Sequence, residues 1–186
     1  ANGVDLPQPL IVPHEHAAMG MAHGYHLATG KTPVVILHTN VGLSNGVTGL
    51  INAATDHIPM LLMSGRTPVT EQNRFGARTV PIGWGQEMRD QTAMVRECCK
   101  WDYELRFPEQ VPELLDRAHG IANSTAKGPV YLSLPREVLC EICPEEGVDA
   151  PASMRPARSG VRPEELTALV DSIAGARNPV IFVQRG

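Results

Sequence analysis

Long hydrophobic runs are missing from this 186-residue chain. The apolar stretches at 34–37 and 58–63 fall far short of the ~20 residues a membrane-spanning helix needs, so no membrane association is expected. No positively charged start leads into an apolar stretch, and no secretory signal is expected either. An excess of positive charge is also missing: 16 Lys and Arg stand against 20 Asp and Glu, a formal charge of −4. A protein that relied on phosphate-backbone contacts would be basic, which argues against nucleic acid as the partner. Cysteine is scarce, four residues in all, where a disulfide scaffold would be shorter and richer in it. The 17 Gly and 16 Pro stay below the level of a low-complexity chain. Three ligand patterns do not occur: Gly-x-x-x-x-Gly-Lys, Gly-x-Gly-x-x-Gly and His-Glu-x-x-His. What remains is a globular composition, 42% hydrophobic and 19% charged, expected of a soluble cytoplasmic protein.

Along the chain, strand and helix patterns alternate. Leu10, Ile11 and Val12 between prolines read as a short extended segment. From His16 onward Ala18, Met21, Ala22, Tyr25 and Ala28 recur near one helical face, and Gly30 is the stop. Val34–Leu37 reads as a strand covered on both faces. Residues 39–46 are rich in turn formers and precede a second helix through Val47, Leu50, Ile51 and Ala54. Residues 60–63 read as another buried strand that stops at Ser64 and Gly65. The stretch 66–95, with Pro68, Gly76, Pro81, Gly83 and Gly85, reads as a long functional loop. Val111, Leu114, Leu115, Ala118 and Ile121 mark a third helix, and residues 130–134 a strand closed by Pro135. This alternation with short connections predicts an α/β fold with a parallel sheet flanked by helices, over residues 1–139. Residues 140–162 are aperiodic and read as a linker. Residues 163–186 combine a helix (Leu166, Leu169, Val170, Ile173) with an apolar strand at 179–183. They read as the start of a second α/β domain.

Ligands of open parallel sheets sit outside the carboxyl ends of the strands. That rule selects residues 14–16, 39–45 and 64–67. Glu15 is on local pattern a capping or solvated carboxylate near a helix N-terminus, favoured by the dipole. The chemical alternative is a carboxylate poised to exchange a proton with a ligand. His14, His16, His23 and His26 invite a metal reading, but His16 and His23 lie nearly two turns apart, and ordinary packed or surface histidines are the stronger reading. Cys140 and Cys143 have metal or redox spacing. Zinc would need two more ligands, and the adjacent Cys98 and Cys99 are a poor second half, so reduced structural thiols are expected and no metal site.

Assembled, these pieces carry a resemblance. The run from His14 to Lys31 resembles "H-E-x-x-A-x-x-M-A-x-G-Y-A-x-x-T-G-K" of thiamine-diphosphate enzymes in the acetolactate synthase and 2-oxoacid decarboxylase superfamily. Asn45-Gly46-Val47-Thr48-Gly49-Leu50 is similar to its "T-N-x-V-T-G-I". Asp56-His57-Ile58-Pro59 with the following Leu61-Leu62-Met63-Ser64-Gly65 resembles "D-x-x-P-x-x-x-I-x-G". Gln86-Glu87 matches "F-Q-E", and the stretch from Gly128 to Arg136 resembles "G-P-V-x-x-x-x-P-K". The order is kept over nearly the whole chain.

The resemblance implies the pyrimidine-binding (N-terminal) domain, without its first strand and helix, followed by the opening of the central domain from 163. The diphosphate domain, with its Gly-Asp-Gly…Asn-Asn signature for Mg2+, has no counterpart in these residues. By resemblance Glu15 is catalytic, hydrogen-bonding the pyrimidine N1′. A carboxylate shielded from water has a raised pKa and can share that proton. Thr39, Asn40, Val41, Gly42 and Asn45 match the loop lining thiamine diphosphate, and Gln86 and Arg136 fall near the substrate. The implied activity is carboligation or decarboxylation of a small-molecule 2-oxo acid by a homodimer or tetramer with the cofactor at the subunit interface. The 186-residue chain is expected to be inactive alone. FAD is carried by some relatives through contacts outside these residues. Alternatives are a short subunit of a split decarboxylase and a non-catalytic association domain of the same fold. There are departures: Asn40-Val41-Gly42 stands for the family's Gly-Pro-Gly, Gly85 after Trp84 for its Phe, and Arg136 for its Lys. Arginine presents a planar fork where lysine presents a point charge, which puts acetolactate formation itself in doubt. An uncovered sheet face or edge, left by the missing first strand, is expected to promote self-association.

Overall fold

The computed structural model describes residues 7–80, 85–144 and 153–182. Within them four strands form a parallel sheet. They are β1 (Val34–Leu37), β2 (Met60–Arg66), β3 (Asp102–Glu104) and β4 (Pro129–Pro135), in the order β1-β2-β4-β3. Val35 faces Leu62, Leu62 faces Tyr131, and Tyr103 faces Leu132 across the ladders. The helices are α1 (Glu15–Thr29), α2 (Thr39–Thr55), α3 (Val111–Asn123), the short α4 (Arg136–Leu139) and α5 (Pro163–Gly175). The expected parallel α/β sheet with flanking helices is what the chain forms.

The strand order explains which helix covers which face. The step from β1 to β2 runs one way across the sheet, and the step from β3 to β4 runs the other way. Right-handed crossovers therefore put α2 and α3 on opposite faces. Side-chain alternation along a strand then divides the core. Val35, Leu37, Met60, Leu62 and Tyr131 pack with Met19 of α1 and Leu43, Leu50 and Ala53 of α2. Leu61, Met63, Val130 and Leu132 pack with Leu114, Ala118 and Ala122 of α3. Leu43, Leu50 and Leu62 are fully buried, each worth about 2 kcal/mol of transfer free energy.

Helix α1 starts where His14 turns extended and its Nδ1 accepts the His16 N–H at 3.2 Å. It ends at Gly30, whose φ of 69° closes the last turn through its N–H to the His26 carbonyl at 2.7 Å. The two N-terminal helices approach closely because α2 turns glycine toward α1. A Cβ at Gly49 would lie 2.4 Å from Met19 Cβ, and one at Gly46 2.6 Å from Leu37 Cδ1.

Four expectations are corrected, and two elements are new. β1 is covered on one face only: Val34 and Ile36 are 56% and 69% exposed, because α3 spans the β2 and β4 side and leaves the edge strand bare. The apolar groove that results measures about 620 Å³ and runs from Val34 and Ile36 to Leu115 and Leu139. Residues 39–46 are not a turn but the first two turns of α2, since the helix begins directly after β1. β2 continues through Ser64 and Gly65 to Arg66, where pairing with β4 holds it extended. β3 and α4 were not foreseen; β3 is three residues of mixed polarity, too short for a periodic signal. The strand expected at 179–183 is irregular and exposed over 179–182, with no strand beside it among the described residues, and Val183 lies outside them. Pro81, Gly83 and Trp84 lie outside them as well.

Residues 154–159 are tied to the residues just after α3: the Thr125 N–H donates to the Ala157 carbonyl at 2.9 Å and the Ala157 N–H to Ser124 Oγ at 2.9 Å. Helix α5 keeps Leu166, Leu169, Val170 and Ile173 between 40% and 55% exposed.

Candidate functional site

The first cluster lies where the start of α1 meets the start of α2. Glu15 is the first residue of α1, so its carboxylate stands beside unsatisfied backbone N–H groups. Its own backbone N–H, and then the Asn45 amide, hold its carboxyl below the ordinary range, against a smaller opposing effect of burial. Asn45 Nδ2 donates to Glu15 Oε2 at 3.1 Å. Gly42 is one helical turn before Asn45 on the same face. A Cβ there would stand 3.0 Å from Glu15 Oε1, so the absent side chain leaves room for the carboxylate. The helix opens on Thr39 at φ 47°, a left-handed conformation uncommon for a β-branched residue. Thr39 Oγ1 and Asn40 Oδ1 are buried with no hydrogen-bond partner among the described residues. Val41, 43% exposed, follows them. The raised pKa expected for Glu15 is thus corrected for this chain: the group is half-exposed and anion-stabilised.

A second cluster sits at the carboxyl ends of β2 and β4. Ser64 Oγ and Tyr131 Oη lie 2.7 Å apart, and Gln91 Nε2 donates to both, at 2.8 and 3.1 Å. Arg66 spreads its guanidinium between two carboxylates, Glu87 Oε1 at 2.7 Å and Glu104 Oε2 at 2.7 Å. Burial works against its charge, but these two partners outweigh it and hold its pKa above the ordinary range. Thr67 Oγ1 donates to Glu87 Oε2 at 2.8 Å, and Ser133 Oγ to Glu104 Oε2 at 3.1 Å. Beyond this network a cleft of about 440 Å³ opens, lined by Arg66, Arg89, Arg96 and Arg106 with Asp90, Asp102 and Glu104.

The structure therefore brings Glu15, Gly42 and Asn45 into contact and sets Thr39 and Asn40 one turn away on the same helix. Gln86 is half-buried and Arg136 exposed; no hydrogen bond joins either side chain to the Glu15 cluster among the described residues. Sequence reasoning missed the roles of Arg66, Gln91, Glu104 and Glu137. The available signal was polar residues continuing past the end of a buried strand, Ser64 to Thr67, and Ser133 inside an apolar one. No group of three or more His, Cys, Asp or Glu that could hold a metal occurs among the described residues. No helix among them is long and apolar enough to cross a membrane.

Fold and cluster define a doubly wound α/β domain that presents a carboxylate, an amide and unpartnered oxygens beyond a strand's carboxyl end. The family model of the thiamine pyrophosphate enzyme N-terminal TPP binding domain matches residues 5–94. Benzoylformate decarboxylase of Pseudomonas aeruginosa is 30% identical over 171 residues, covering 91% of this chain and 31% of that protein. Acetolactate synthase isozyme 3 large subunit of Escherichia coli is 30% identical over 188 residues, 95% of this chain and 30% of the enzyme. Among solved structures, the thiamine diphosphate-dependent 4-hydroxybenzoylformate decarboxylase of Rhodococcus jostii superposes with a TM-score of 0.69 at 28% identity, over 90% of this chain and 30% of that one. The chain belongs to the thiamine pyrophosphate enzymes of the acetolactate synthase and 2-oxoacid decarboxylase family, through their N-terminal TPP binding domain. It spans about 30% of the length of these relatives.

Proposed function

We propose that this chain supplies the pyrimidine side of a thiamine-diphosphate site in an enzyme that decarboxylates or ligates a 2-oxo acid, with Glu15 as its proton-exchanging group. The observation that carries the reading is the cradle formed by Glu15, Asn45 and the bare face of Gly42. The residues fit the group. An aminopyrimidine ring asks for a carboxylate free to face it and for polar oxygens with no partner inside the protein. Glu15, given room by the bare Gly42, and the buried Thr39 Oγ1 and Asn40 Oδ1 answer these in turn. Bound, the cofactor supplies a nucleophilic carbon and an electron sink.

The chain's own contribution is the state of one carboxyl oxygen. Asn45 fixes the direction of the Glu15 carboxylate, and the first-turn N–H favours its anionic form. Holding a proton at Glu15 requires a surface that removes water, because desolvation raises a carboxyl pKa. In this reading a second subunit of a dimer or tetramer provides that surface. Val41, exposed beside the cluster, gives it an apolar contact. The reading also includes Mg2+ held by residues outside this chain, Gln86 and Arg136 as contacts to the 2-oxo acid, and a cytoplasmic setting. It leaves flavin to residues outside this chain.

The test is Glu15→Gln in the full-length protein. Turnover is expected to fall by about 10²–10⁴, the usual worth of a general acid–base group. The melting temperature and calorimetric affinity for thiamine diphosphate are expected to stay close to wild type. Full turnover in this variant would remove Glu15 from the mechanism.

A further inference from the structure

Gln86 and Arg136 lie 50 residues apart, yet each is followed directly by a glutamate anchored to one five-residue stretch, 66–70, that starts at the last residue of β2. Glu87 takes Arg66 Nε and Nη2 on Oε1, at 3.1 and 2.7 Å, and Thr67 Oγ1 on Oε2 at 2.8 Å. Glu137, 8% exposed, takes the Val69 N–H at 2.7 Å, the Thr70 N–H at 2.9 Å and Thr70 Oγ1 at 2.9 Å, all on Oε1. Further groups of the stretch are occupied too. Arg78 donates to the Pro68 carbonyl, the Arg78 N–H to the Thr70 carbonyl at 2.7 Å, and Arg66 Nη2 to the Met88 carbonyl at 2.8 Å. Residues 66–70 are thus a common anchor for Glu87 and Glu137, and Arg78 and Met88 are fastened to it as well.

We propose that Glu87 and Glu137 are positioning residues: through the shared anchor 66–70 they fix Gln86 and Arg136 relative to one another, and so set how the 2-oxo acid is held. This rests on reading Gln86 and Arg136 as substrate contacts. The physical ground is that charge-assisted hydrogen bonds are the strong ones, and that a carboxylate accepting several donors fixes its backbone neighbours as well as itself. Gln86 and Arg136 have no side-chain hydrogen bond of their own among the described residues. Their placement therefore comes from the backbone beside each glutamate. Two staples on one short stretch are joined through it, so loosening either is expected to loosen the other's segment.

Hydrogen exchange of the full-length protein, read by mass spectrometry, tests the coupling. In Glu137→Ala, amides 69–70 and also 86–88 are expected to exchange at least tenfold faster; in Glu87→Ala the same two segments respond. Glu137→Gln and Glu87→Gln, which keep an acceptor oxygen, are expected to recover toward wild type. Should an alanine variant fail to fold, Thr70→Val and Thr67→Val remove one donor each and are expected to show a smaller change at both segments. A change confined to the segment each glutamate touches overturns the proposal. The kinetic arm uses whichever of pyruvate and benzoylformate the full-length protein decarboxylates. The staple variants are expected to raise KM tenfold or more, with kcat within threefold and thiamine-diphosphate affinity unchanged. Gln86→Ala and Arg136→Ala separate the two ideas. If they leave KM unchanged, the substrate reading fails, and exchange alone judges the coupling. If they raise KM while the staple variants do not, the positioning role fails and the substrate reading stands.

Discussion

The same substitution at two glycines of α2, one heptad apart, is expected to separate stability from chemistry. Glycine to alanine in a helix interior gains about 1 kcal/mol of propensity. At Gly49 the new Cβ would meet Met19 Cβ at 2.4 Å and Met19 Cα at 3.7 Å. These atoms lie at the root of the side chain and cannot swing aside, so the helices must separate. Overpacking of that kind costs ~1–3 kcal/mol. Taking the upper end against the propensity gain, Gly49→Ala is expected to lose about 2 kcal/mol and to melt at a lower temperature than wild type. At Gly42 the new Cβ would meet Glu15 Oε1 at 3.0 Å and Cγ at 3.4 Å. Those atoms are the far end of a flexible side chain and yield by a few tenths of an ångström. Gly42→Ala is therefore expected to be as stable as wild type or slightly more so. The displaced carboxylate should cost turnover about tenfold, since a misplacement of ~1 Å can cost 10²-fold. Thermal unfolding by far-UV circular dichroism and steady-state turnover of the full-length protein read both quantities. A wild-type melting point for Gly49→Ala, or turnover within twofold for Gly42→Ala, would refute the reasoning.

Acid should uncover the staple at Glu137. Burial raises its pKa, but hydrogen bonds from Thr70 and Val69 outweigh that and hold it below its ordinary value of 4.5. A depressed folded pKa contributes stability that is present above the unfolded value and lost as pH falls through the folded one. The stability gap between wild type and Glu137→Gln is thus expected to be constant above about pH 4.5 and to shrink below it, followed by denaturation across a pH series. The four cysteines should differ in reactivity. Burial, then Cys98 and Asp102, push the Cys99 thiol up to about 12, whereas Cys143 is exposed. Iodoacetamide at pH 8 is expected to modify Cys143 first and Cys99 last, as peptide mapping would show; early labelling of Cys99 would contradict the packing around it.

Much of this protein could be read along the chain because its signals are local. The α1 stop needs only Gly30, whose left-handed φ suits a residue without Cβ. The α3 face repeats Leu114, Ala118 and Ile121 at helical spacing, and β4 is a continuous apolar run after Gly128 and Pro129. Glu15 was legible as a carboxylate at a helix start, because composition and order alone place it there. The turn residues of 39–46 misled for a physical reason. Thr, Asn and Gly disfavour helix interiors by propensity, and packing of α2 against Met19 and the sheet overrides that weak preference.

By itself, then, the sequence determined the alternation of strands and helices, the family motifs and the identity of the acidic group, since these depend on residues close together in the chain. Only the tertiary structure decided the rest. It put Asn45 against Glu15 across 30 residues, left Val34 and Ile36 bare on the edge strand, and drew Arg66, Glu87, Glu104 and Glu137 onto one anchor. Such pairings join groups far apart in sequence, and what selects them is the order in which strands lie in the sheet. That order follows from burying two apolar layers at once, which no window of neighbouring residues encodes.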